Sequence, residues 1–128
     1  MVSEATKKAR ASKRRGAAWE LELVKGLRAE GFDVERLHLN GKEDEGDLVL
    51  TDEHGKIIIE AKNVAKLDLA GFVGEVMAEA DNYVQHRGLD RQEVTAVVAI
   101  KARGKSWKEG YLVTTIGEFL DIVDGDAS

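Results

Sequence analysis

Two apolar runs, Leu48-Val49-Leu50 and Ile57-Ile58-Ile59, stand either side of the polar stretch Asp52-Glu53-His54-Gly55. No other feature constrains the chain so tightly. Short aliphatic runs separated by turn formers predict an antiparallel hairpin, with strands over 47–51 and 56–62. A two-residue turn at Glu53-His54 and a four-residue loop at Asp52–Gly55 give the same register, and in it Asp47 lies opposite Glu60. Directly opposed like charges destabilise a sheet. A cation between them removes that penalty, and a hard divalent ion held by oxygens is the usual one. Lys62 follows Glu60 by two residues, so both side chains leave the same face of the strand. The backbone carbonyl of Ala61, between them, offers a further ligand at the same edge.

A helix is predicted over 16–30, with Leu23, Val24 and Leu27 on one face and Gly31 as a stop. Glu20 is centred on that apolar face. A carboxylate turned toward a core is costly unless it is paired or metal-bound, although the exposed start of a helix is an ordinary place for one. A strand follows over Asp33–Leu39, then a polar loop over Asn40–Gly46. Leu69, Phe72, Val73, Val76, Met77, Ala80, Tyr83 and Val84 form one continuous helical stripe, which Asp68 can cap and Gly88 can end. Val94–Ile100 reads as a strand covered on both faces. A basic hairpin-like segment, Lys101–Gly110, leads to a strand over Tyr111–Thr114. Thr115 and Glu118 form a capping box for a last helix through Val123. Strands in a meander with helices laid on them define an α/β layer fold.

A chain of 128 residues fits one domain, and its lack of cysteine excludes disulfides, thiolate metal sites and cysteine nucleophiles. The net charge is −5, yet residues 1–15 hold six cations (Lys7, Lys8, Arg10, Lys13, Arg14 and Arg15) against the single acid Glu4. An acidic body with a basic arm suits a protein that touches nucleic acid, though such an arm can also be a solubilising tail. By composition the first 13 or so residues are expected to be disordered, leaving 16–128 as a single domain. The basic start has no apolar segment behind it, so neither a signal peptide nor a membrane span is expected, and the cytoplasm is the default location.

At these residues the chain resembles the PD-(D/E)XK nuclease superfamily, and within it the archaeal-type (Hjc-like) Holliday junction resolvases. The motif reads Gly46-Asp47, twelve intervening residues, then Glu60-Ala61-Lys62 after Ile57-Ile58-Ile59. The helix motif reads Arg15-Gly16-Ala17-Ala18-Trp19-Glu20, followed by Leu27-Arg28-Ala29-Glu30-Gly31-Phe32. The resemblance spans residues 13–101. It implies a restriction-endonuclease-like αβββαβ core, a mixed sheet flanked by helices, extended here by the C-terminal strand and short helix. It implies that Asp47 and Glu60 are metal ligands, Glu20 an auxiliary ligand, and Lys62 the group that orients water or stabilises charge. Gly46 stands where the family's name has proline, at a position that ligates nothing. Asn40-Gly41 replaces a serine- or glycine-rich segment, which bears on substrate geometry more than on chemistry.

The expected activity is Mg²⁺-dependent hydrolysis of DNA phosphodiester bonds, with Mn²⁺ able to substitute. The expected substrate is a four-way junction, cut by a homodimer because two symmetric cuts need two sites. A repair, restriction or flap nuclease on the same fold is the first alternative, since fold does not fix substrate. A non-catalytic DNA-binding protein is the second. Lys101, Arg103, Lys105 and Lys108 surround Trp107 and could hold DNA, with base stacking on Trp107 weighed against its packing on the core. Glu43, Asp44 and Glu45 could seat a second ion, against the plainer reading of a solvated loop. His38, His54 and His86 lack metal-ligand spacing. Glu79, Tyr83 and Gln85 are read as surface or core.

Overall fold

The computed structural model describes residues 2–37 and 44–124. The expected strand residues 38 and 39, His38 itself, and the loop positions Asn40, Gly41 and Glu43 lie outside the described residues. Three helices are present, α1 (Glu4–Ala29), α2 (Leu69–Arg87) and α3 (Ile116–Val123). Five strands, β1 (Asp33–Arg36), β2 (Leu48–Asp52), β3 (Gly55–Lys62), β4 (Val94–Ile100) and β5 (Tyr111–Val113), form one sheet in the order β1-β2-β3-β4-β5. The β3–β4 pair is parallel, and the other pairs are antiparallel. A parallel pair needs a crossover, and α2 supplies it.

The hairpin pairs in the expected register, Leu48 with Ile59 and Leu50 with Ile57. Alternation along the strands then sorts the core into two layers. On one face Leu48, Leu50, Ile59, Val97 and Ala99 pack under Trp19, Leu23 and Val24 of α1. On the other, Val49, Ile58, Ala96, Val98 and Ile100 pack under Val76, Ala80 and Tyr83 of α2. Every residue of β4 is buried, as its unbroken apolar run requires. The Trp19 indole N–H donates to the carbonyl of Ala99 at 3.0 Å, which anchors α1 to the sheet.

Three expectations change. Residues 4–15 are the first turns of α1, where disorder was expected. Ser3 caps the helix by accepting the Thr6 N–H at 3.1 Å, Lys7 and Glu4 pair at 3.6 Å one turn apart, and no glycine or proline interrupts before Gly16. Composition reports a lack of core-forming side chains but says nothing of this local propensity. The segment after β4 contains a short 3₁₀ turn at Trp107–Glu109 and pairs with nothing until Tyr111. Trp107 packs against the core, and its ring lies so close to Gly26 that a Cβ there would sit 2.3 Å from it.

The third change is at the capping box. Thr115 does cap α3, accepting the Glu118 N–H at 3.0 Å, but the Glu118 carboxylate does not return to Thr115. β4 runs past the end of β5 and leaves the outward edge of Ala96 without a strand partner on that side. Glu118 accepts the Ala96 N–H at 3.0 Å, and Thr114 donates to the Ala96 carbonyl at 2.6 Å. Buried backbone groups must be paired, and here two side chains finish the ladder.

Candidate active site

Asp47 stands just before β2, its N–H donating to the Ile59 carbonyl at 3.2 Å. That bond carries the hairpin register one step further and sets Asp47 beside Glu60. The Asp47 carboxylate accepts the Ala61 N–H at 2.8 Å. The N–H and C=O of one strand residue leave by the same edge, so the Ala61 carbonyl also faces the Asp47 side. Glu60 and Lys62 share the face of Ile58, which is the face under α2. Asp47, Glu60, Ala61 and Lys62 therefore meet where β2 has not yet begun and β3 is ending.

Glu20 reaches the same end of the sheet from the α1 side. Its carboxylate pairs with Arg36 at 3.7 Å. Burial and the nearby Asp47 hold its pKa above the ordinary carboxylate value, with Arg36 opposing. It belongs to the field of the site, while its ion-pair partner is a β1 arginine.

The helix α2 contributes two acids: Glu75, which the sequence motifs do not include, and Glu79, expected as surface or core. Glu75 accepts from the Lys62 ammonium at 3.2 Å, and Phe72 lies under that ammonium at 5.0 Å. Burial alone would lower the Lys62 pKa, but Glu75 and Glu60 outweigh it and keep the lysine charged. Glu79, one turn on, is only 3% exposed, and neither of its carboxylate oxygens meets a hydrogen-bond donor among the described residues. One oxygen each from Asp44, Glu60 and Glu79 lie within 4.8 Å of one another. Burial, then the neighbouring Asp47 and Glu79, push the Glu60 pKa far up. Burial and Asp44 push that of Glu79 up as well.

A signal for Glu79 was available. Phe72, Val76, Glu79 and Tyr83 fall at i, i+4, i+7 and i+11, so Glu79 sits on the apolar face of α2 just as Glu20 sits on that of α1. Glu75 points at the site only because β3 ends beneath it, which no local pattern reports.

The segment before Asp47 is held against α2. Asn82 donates to the Asp44 carbonyl at 2.8 Å, and Glu45 takes His86 at 2.7 Å and also Arg87. Burial would raise the Glu45 pKa, but Arg87 and His86 hold it below the ordinary value. Gly46 then turns the chain with φ +100°, and a Cβ there would approach Ile58 to 2.7 Å. Proline cannot adopt a positive φ, so glycine at this motif position is a requirement of the local backbone.

The basic residues divide. Arg15 and Arg103 line a cleft of about 350 Å³ with Ala61, Lys62 and Asn63. Asn63 fixes Arg103 through its side-chain oxygen at 2.9 Å. Lys8 precedes Ser12 and Arg15 on the same stripe of α1, while Lys7, Arg10, Lys13 and Arg14 lie on other exposed parts of that helix. Lys101 is tied to Glu22 of α1 at 2.9 Å, and Lys108 to Glu30, the C-cap of α1, at 2.6 Å. Those two lysines brace the loop. Lys105 is exposed at its turn.

No protein-family model and no curated protein matches the sequence. Among solved structures, the chain matches the Archaeoglobus fulgidus Hjc, a Holliday junction resolvase from an archaeal hyperthermophile. The match has a TM-score of 0.48 and 22% sequence identity, and covers 69% of this chain and 68% of that one. That protein is of the kind to which the sequence motif pointed. At this identity and overlap, the chemistry has to be argued from the side chains of this chain.

Proposed function

We propose that the chain is a metal-dependent endonuclease that hydrolyses DNA phosphodiester bonds, and that it resolves four-way junctions as a homodimer. One observation carries the reading: the hairpin register sets Asp47 beside Glu60, with Lys62 on the same face next to a cleft lined by Arg15 and Arg103. The donor set suits a hard divalent cation, being all oxygen, carboxylate-rich and partly stripped of donors at Glu79. Asp47, Glu60 and the Ala61 carbonyl would hold Mg²⁺ or Mn²⁺, with Glu20 close by. When bound, the ion supplies Lewis acidity toward the scissile phosphate and a lowered pKa for water.

The chain's own groups do the rest. Lys62, kept charged by Glu75 and Glu60, offsets the negative charge that grows on the phosphate in the transition state. Arg15 and Arg103 grip flanking phosphates, and Lys8 extends that line along α1. Phosphate contacts of this kind set position and read no sequence, which fits recognition of DNA by shape. Such a substrate suits a cytoplasmic protein.

Assembly has a surface to use. The sheet face away from α2 is covered by α1, so the C-terminal segment remains. There Tyr111, Leu112, Ile116, Phe119, Leu120 and Val123 are all at least half exposed, along the edge strand β5 and the outer face of α3. An apolar patch on an unpaired sheet edge is what a C₂ partner would cover. No helix among the described residues is long and apolar enough to cross a membrane, so a lipid bilayer is not offered a spanning helix there.

The test is a cleavage assay on junction, flap, duplex and single-stranded DNA, with Mg²⁺ and with chelator. Paired cuts in the junction that chelator abolishes are expected. Preference for a flap or duplex would move the substrate assignment, and no cleavage of any DNA would leave a binding protein. Sedimentation should give a mass near twice 14.0 kDa, reduced by Phe119→Asp.

A further inference from the structure

The motif Asp47…Glu60-Ala61-Lys62 leaves one strongly buried acid without a task. Glu79 comes from α2, and it is as buried as the apolar residues around it. No amide, hydroxyl or cation reaches its oxygens among the described residues, and the one hydrogen bond open to it is a proton shared with Glu60 or Asp44. A buried carboxylate in that condition is destabilising, and removing it from water gains nothing unless something positive or a shared proton meets it. Its surroundings add to the cost. Glu60 and Asp44 bring two further carboxylates within 4.8 Å. The Lys62 ammonium hydrogen-bonds Glu75 instead.

We propose that Asp44, Glu60 and Glu79 together seat a divalent cation, with Glu79 as a ligand that α2 adds to the strand motif. The proposal rests on the metal-dependent reading of the site. Three oxygens that close to one another have the spacing of a shared hard cation. They come from three separate parts of the chain, and two of these are held in place by other bonds. Asp44 is positioned by the Asn82 bond to its carbonyl and by the Gly46 N–H on its carboxylate at 2.9 Å. Glu60 is fixed in the centre of the sheet. Asp44 is exposed, so the seat opens to solvent on that side, where water and a phosphate oxygen can complete the coordination. Glu60 would then serve two neighbours, Asp47 on one side and the α2 acid on the other.

The experiment is a Mn²⁺ titration of the full-length protein without DNA at pH 8, reading free Mn²⁺ by electron paramagnetic resonance. Glu79→Gln keeps the shape and removes the charge. Its Mn²⁺ affinity should fall about tenfold or more, because affinity follows the number of charged ligands. Its melting temperature in chelator should stay level or rise. Asp44→Asn, at an exposed position, should weaken binding in the same direction and decides the matter if Glu79→Gln does not fold. Glu53→Gln in the distant hairpin turn should leave affinity unchanged. Unaltered Mn²⁺ binding in Glu79→Gln, or none in the wild-type protein, overturns the proposal. The two readings fail separately. Glu79-dependent Mn²⁺ binding with no cleavage of any DNA sinks the nuclease and keeps the seat. Metal-dependent cleavage with a Mn²⁺ affinity indifferent to Glu79 does the reverse.

Discussion

Two buried glutamates sit under the same sheet in opposite circumstances. Glu118, at the β4 edge, accepts the Ala96 N–H at 3.0 Å and pairs with Arg91 at 3.0 Å. Glu79, under the end of β3, has two carboxylate neighbours and no donor among the described residues. Folding alone explains the first, because Glu118 completes a strand that β5 leaves short. It does not explain the second, which weakens the metal-free protein. A buried acid that is fully paired belongs to the architecture, and one left bare beside other acids marks a place built for something that arrives later.

The sharpest test of this contrast exchanges the two losses. Asp47→Asn or Glu60→Gln should cut cleavage by at least about a hundredfold, the scale seen even for groups that only support a metal ligand, while the fold melts no earlier in chelator. Glu118→Ala should do the opposite. It strands the buried Ala96 N–H and leaves Arg91 with Asp81 and the Val94 carbonyl, costing about 2 kcal/mol, while cleavage per folded molecule holds. If Glu118→Ala loses activity at unchanged stability, the division fails. Lys62→Ala sharpens the site's side of it. Cleavage should drop while DNA affinity stays, since the charge is needed mainly in the transition state. A variant that cuts at the wild-type rate makes Lys62 no more than the partner of Glu75.

A smaller effect of the bare acids shows with pH. The ordinary carboxylate value is 4.5, and in the fold Glu60 lies above it and Glu79 is pushed up to about 8, by burial first. A raised folded pKa gives stability that is complete below 4.5 and is lost as pH climbs through the folded value. The metal-free protein should therefore lose melting temperature between pH 4.5 and about 8, and Glu79→Gln should lose less. Saturating Mg²⁺ should flatten the slope. Equal slopes in wild type and variant would remove the contrast with Glu118. The mildest change is in DNA affinity. Arg15→Ala with Arg103→Ala should lower the slope of log affinity against log salt by about 2, one for each phosphate no longer neutralised. An unchanged slope would detach the cleft from DNA.

Much of this was legible in the residues. The hairpin register follows from two apolar runs and a turn, the α2 limits from Asp68 and Gly88, and the burial of β4 from an unbroken apolar run. What escaped depends on contacts distant in sequence. Glu118 looked like a local cap because its real partner, Ala96, lies 22 residues away. The ion pairs of Lys101 with Glu22 and of Lys108 with Glu30 were out of reach because those acids lie far upstream, on α1 and at its C-terminal cap. Glu79 was within reach, since the rule that singled out Glu20 applies equally to it. The helical state of residues 4–15 was missed because composition was weighed in place of capping and propensity.

That last point changes what the basic arm can do. A disordered tether raises the local concentration of charge near DNA and constrains nothing else. A single 26-residue helix is a rod of about 39 Å, at 1.5 Å per residue. Arg15 and Glu20 lie on it about 7.5 Å apart along the axis, with Trp19 bolting it to the sheet. A phosphate taken up by Arg15 would therefore lie at a set distance and bearing from the carboxylates. On the proposed reading the arm is a ruler, from which the scissile bond would be measured.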